Sequence, residues 1–207
     1  MLRQVFNVLL RAALPFAATA SPALAHHAMD YAQPATALEG LLSGLGHPVI
    51  GVDHLLFILG AGVLAARSER GYLLPLLFVV ASVSVAGMRY LGVNVELSEL
   101  WIAASLIVLG AILLATRVLS GGVIAALFLV AGALHGYALA EAIVGAERTP
   151  LFAYLIGLTV IQGAVASGAW WTARWLAVHR PRVPLQRLAG AAIGAAGLTF
   201  SALAVFS

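Results

Sequence analysis

The chain has 207 residues, 62% of them hydrophobic and 9% charged, with a mean hydropathy of +1.03. That balance excludes an ordinary soluble domain and fits an all-α, polytopic membrane helical bundle. The net charge of +3 sits on arginines beside apolar spans, which argues against nucleic acid as a partner, and the absence of cysteine excludes disulfides, thiolate metal sites and iron–sulfur clusters. There is no phosphate-binding loop and no dinucleotide fingerprint, so ATP hydrolysis by this chain is not expected.

Residues 1–25 read as a secretory signal peptide. Arg3 and Arg11 give a basic start, an apolar run follows, and Ala23-Leu24-Ala25 supplies a small-residue cleavage site. A retained first helix is the alternative, although Arg11 and Pro15 interrupt it. Cleavage leaves His26 at the mature N-terminus and residues 26–45 as an extracytoplasmic leader. The free amine of His26 and the imidazole of His27 are then suited to chelating one Ni²⁺ or Co²⁺; a short flexible leader is the alternative.

Six apolar spans follow, at 46–66, 72–92, 98–117, 120–144, 150–175 and 185–206. Each approaches the ~20 residues that a bilayer requires. They make residues 46–207 one transmembrane domain, with about six helices after the cleaved signal. Short loops imply antiparallel neighbours, and the 21 glycines allow close helix approach.

The first span opens on Gly46-His47-Pro48 and continues to Asp53-His54. Ionisable side chains in hydrocarbon are costly and mark function by default. Imidazole with carboxylate is a ligand set for a divalent transition metal. His47 and His54 lie seven residues apart, which on a regular helix places them on one face but ~10 Å apart. Either they are two stations on a path, or Pro48 and Gly51 break the helix. Asp53 is then a ligand or the acceptor for an imidazole N–H.

Later spans add further candidates. Ser105 and Glu99 lie in the third, His135 and Glu141 in the fourth, and Thr159 and Gln162 in the fifth. A lone buried histidine is more often structural, and only the group argues for a site. His179 falls in an arginine-rich loop and reads as solvated. Trp101, Trp171 and Trp175 read as interfacial anchors.

All eleven basic residues are arginine, and after the signal most fall beside alternate loops. The positive-inside rule then places both mature termini outside. Asp30, Glu39, Glu96, Glu99 and Glu147 gather on that side. They are either a cation-attracting vestibule or ordinary solvated loop acids.

Through GHPVIGVDHLL the sequence resembles the HupE/UreJ family of small nickel or cobalt permeases, which carries an HPxxGxDH motif early in its first mature helix. His47, Pro48, Gly51, Asp53 and His54 match it. The resemblance implies that His47, Asp53 and His54 hold metal and that His135-Gly136 begins the second motif. The chain departs from that motif at Leu139, where a second histidine is usual, and carries Glu141 one position early. Gln162 stands where the following span often has histidine. A weaker resemblance links HHAMD to the N-termini of CbiM/NikM-type subunits of energy-coupling cobalt and nickel importers, which bind metal through the terminal amine and a nearby histidine.

The expected function is therefore a multi-pass permease of a bacterial inner membrane that imports Ni²⁺, with Co²⁺ a close second. It is not expected to be an enzyme or to carry a prosthetic group. The metal ion, as cargo, and lipid are the expected partners; a second copy of the chain or an energy-coupling partner remains open. An intramembrane metalloenzyme and an assembly subunit of a larger membrane complex are the alternatives.

Overall fold

A computed structural model describes residues 33–67, 71–93, 99–115 and 119–206. They form seven α-helices and, among the described residues, no strand. These are α1 (Ala37–Ile50), α2 (Val52–Ala65), α3 (Leu74–Tyr90), α4 (Glu99–Leu114), α5 (Gly121–Leu139), α6 (Arg148–His179) and α7 (Leu185–Phe206). Short 3-10 turns precede α3 at Gly71–Leu73 and follow α5 at Ala140–Ile143. The chain is an all-α helical membrane bundle.

Helix α1 starts well before the expected first span. Thr36 Oγ1 accepts the Glu39 N–H at 3.2 Å, and Glu39 Oε2 accepts the Thr36 N–H at 3.3 Å. This reciprocal capping box fixes the helix start. Glu39 Oε2 also takes the Ala35 N–H at 2.7 Å, so one of the outer acids is engaged in capping the start of a helix.

The first span is broken at Gly51, one of the two alternatives the sequence left open. Pro48 lies inside α1 and cannot donate to the preceding turn. Gly51 leaves the helical region, with φ −70° and ψ 97°, and α2 restarts at a bend of 77°. A Cβ at Gly51 would press on the His54 ring and the Asp53 carboxylate, so only glycine leaves those side chains their places.

Both halves nonetheless follow α6 in one direction. Gly40 meets Pro150, Gly44 meets Tyr154 and Leu158, and Gly62 meets Ala166 and Ala169. From Pro150 to Ala169 a regular helix rises ~29 Å, close to the ~30 Å hydrocarbon thickness. The pair thus traverses the bundle as one broken span. Among the described residues, four helical segments are long and apolar enough to cross a membrane, and the pair, counted as one span, makes five. The remaining apolar helix, α4, has 16 residues and falls short of the ~20 expected of a full span.

Helix α2 is the centre of the bundle, packed against α6, α4, α7, α1 and α3. From Ile58 to Ala65 all its residues except Leu59 are buried. Small residues close the other pairs: Gly110 of α4 lies against Gly190 and Gly194 of α7, and Gly136 of α5 rests on the Ser82 backbone of α3. The outer surface is apolar, with Leu76, Val80, Val130, Phe152, Ile156, Leu198 and Val205 exposed. Water would not tolerate so continuous an apolar surface, and lipid does.

Arg67 follows α2 and clamps two neighbours. Its guanidinium donates to the Ile112 and Leu113 carbonyls in the last turn of α4, at 3.1 and 2.7 Å, and to Gln186 Oε1 of α7 at 2.9 Å. A cation at a helix C-terminus also meets the favourable end of its dipole. Arg67→Ala should destabilise the bundle by about 1.5–3 kcal/mol, the worth of a hydrogen bond to a charged group, and Arg67→Lys, lacking the planar fork, should recover only part. Thermal unfolding in detergent measures this, and an unchanged midpoint would mean that solvent replaces the clamp.

Candidate metal centre

Breaking the helix at Gly51 changes what the first motif can do. The His47 and His54 ring centroids come to 6.3 Å, instead of the ~10 Å of an uninterrupted helix. Both rings are buried. His135 joins them from α5, fully buried, with its Nδ1 2.7 Å from His54 Nδ1.

The hydrogen bonds assign the tautomers of the neutral rings. Ser105 Oγ donates to the Ile102 carbonyl at 2.7 Å, so at 2.9 Å it accepts from His135 Nε2. His135 Nδ1 then bears a lone pair and accepts from His54 Nδ1–H, which places the His54 lone pair on Nε2. The same logic holds at His47. Tyr154 donates its hydroxyl hydrogen to the Leu139 carbonyl at 2.5 Å, so at 3.2 Å the phenol oxygen accepts from His47 Nδ1–H. His47 and His54 therefore both carry their lone pairs on Nε2, each held by a supporting partner on the other nitrogen. That is how metal-binding histidines are oriented.

Asp53 lies in the first turn of α2, half-buried, and its Oδ1 accepts the His54 N–H at 2.8 Å. Gly51 provides no side-chain cap, so the carboxylate takes that place and meets the positive end of the helix dipole. Phe57 and Phe78 flank the His135 ring, at centroid distances of 4.7 and 5.7 Å, and make its surroundings apolar.

The other sequence candidates divide. Glu141 is exposed in the turn after α5, and Glu99 is exposed at the start of α4. Thr159 is exposed and bonds back to the Leu155 carbonyl at 2.7 Å. His26 and His27 lie outside the described residues. Tyr154 and Ser82 were not foreseen, since a tyrosine or serine within an apolar span has no distinguishing pattern. Among the described residues, no three His, Asp or Glu side chains converge closely enough to enclose an ion. The site brings the imidazoles together in pairs instead, His47 with His54 and His54 with His135.

A multi-pass membrane protein whose broken helix aims imidazoles into the core is the class defined by this geometry. The family described as HupE / UreJ protein matches residues 14–200, and the chain belongs to that family, which is associated with nickel and cobalt transport rather than with enzymes. No curated protein and no solved structure matches it.

Proposed function

We propose that this chain is an inner-membrane permease that imports a divalent transition metal ion, Ni²⁺ in first place and Co²⁺ close behind. The observation that carries the reading is the break at Gly51, which brings the buried His47 and His54 rings to 6.3 Å. Imidazole nitrogen with an adjacent carboxylate suits either metal. The mature N-terminus, at His26 and His27, captures the ion outside, and His47 receives it. His54, beside Asp53 and held at its Nδ1–H by His135, carries it into the bundle, and Glu141 stands at the approach. Sparse coordination favours passage, because a transport site must release what it binds. A negative interior supplies ~4–5 kcal/mol per 100 mV for two charges, which favours entry without ATP. Both mature termini lie outside in this reading.

Accumulation of radiolabelled Ni²⁺ and Co²⁺ in transporter-deficient cells tests it. Wild-type protein should raise uptake above cells lacking it, and the ratio of the two metals names the substrate. No uptake of either metal, from protein present in the membrane, would overturn the permease.

Tyr154 should matter without touching the ion. Tyr154→Phe leaves the Leu139 carbonyl and the His47 Nδ1–H without their shared hydroxyl. Ni²⁺ affinity should fall about 10–100-fold, as when other partners that support a ligand are removed. Titration of purified protein with Ni²⁺ reads this directly, and unchanged affinity would show that His47 is oriented by other contacts.

A further inference from the structure

Ser82 and Gln162 are each 0% exposed, yet neither belongs to the site above. Gln162 Nε2 donates to Ser82 Oγ at 3.0 Å. Gln162 Oε1 is buried and has no hydrogen-bond partner among the described residues. A dry, unpaired carbonyl oxygen costs about 1–3 kcal/mol, and a native chain that keeps one has a use for it.

Helix contacts locate this amide. Gly136, the residue after His135, rests on the Ser82 backbone, and Ser82 Oγ accepts from the Gln162 amide. The amide thus lies in the bundle core at the level of His135.

We infer that Gln162 Oε1, whose amide Nε2 is anchored on Ser82, is a second station for the transported cation, beside His135. This rests on the transport reading given above. The chemistry suits a station of exit. Amide oxygen is harder than imidazole nitrogen and binds Ni²⁺ or Co²⁺ more weakly. It carries no charge, so it satisfies an ion in passage without trapping it. A step from nitrogen to oxygen donors lowers affinity along the path, as conduction requires.

The test separates capture from exit. Gln162→Met keeps the side-chain volume and removes the oxygen. The maximal rate of ⁶³Ni²⁺ uptake should fall about tenfold, the lower end of the loss when one metal-supporting group is removed, while the half-saturating concentration stays at the wild-type value. Gln162→His adds an imidazole at the station, and the purified variant should bind Ni²⁺ more tightly than the wild type. A wild-type maximal rate in Gln162→Met overturns the station, and so does a Gln162→His protein that binds no more tightly. The binding arm decides if Gln162→Met does not reach the membrane. Import that needs His54 but runs at full rate in Gln162→Met removes the second station and leaves the permease standing; no import by the wild type removes both.

Discussion

Cells expressing His54→Ala should accumulate Ni²⁺ no faster than cells without the protein, although the variant still reaches the membrane. His54 is the junction of the site. Its Nε2 carries the lone pair, its Nδ1 joins His135 at 2.7 Å, and its ring stands 6.3 Å from His47. Removing a partner that merely orients a ligand costs 10–100-fold in metal affinity, so loss of the ligand itself should cost at least about a hundredfold. Truncation also leaves His135 without a buried donor, a destabilisation of about 1–3 kcal/mol. His54→Asn separates the two effects, because it retains an N–H donor but no imidazole lone pair. Both variants should be inactive, with His54→Asn the more stable. Rapid uptake by both, at normal membrane levels, would remove His54 from the path.

Gly44→Leu should damage both stability and transport. A Cβ at this position would overlap the Tyr154 carbonyl and crowd the Leu158 N–H of α6. Backbone atoms inside a packed helix cannot step aside, so α1 must move. Overpacking of this kind costs about 1–3 kcal/mol. The displacement would also draw His47, one turn on, away from the Tyr154 hydroxyl. Uptake per inserted protein should fall at least about tenfold, in line with losing a supporting partner. Leu42→Ala is the control, since Leu42 is 55% exposed on the other side of α1 and its loss should be nearly silent. The comparison needs only detergent melting curves and uptake rates. A Gly44→Leu protein that melts and transports like the wild type would show that α1 does not depend on this contact.

The sequence made the membrane bundle legible because apolar runs of about twenty residues have few other uses. Pro48 and Gly51 also marked the point where a regular helix would fail, and the 77° bend lies there. The start of α1 was misplaced because Glu39 was read only as a charge, when Thr36 and Glu39 at three-residue spacing are a capping signal. The pairing of His54 with His135 was not readable, because nothing in a single sequence fixes which faces of α2 and α5 meet. Tyr154 was invisible for a related reason: its role depends on the Leu139 carbonyl, a backbone atom of another helix. Gln162 stood out as polar in an apolar span, but its unpaired oxygen appears only once its neighbours are placed.

The broken span divides the two halves of the motif between unlike surroundings. Helix α2, which carries His54, is enclosed by protein. Helix α1, which carries His47, leans on α6 and turns Leu38, Leu42, Val49 and Ile50 outward. Lipid therefore bears directly on the helix that carries the first ligand and much less on the helix that carries the second, although the two rings are equally buried. A change in bilayer thickness, which helices meet by tilting, is expected to tilt α1 about its Gly51 elbow and alter the gap between the two imidazoles. The membrane in which this protein sits is thus part of the dimension of its ion path.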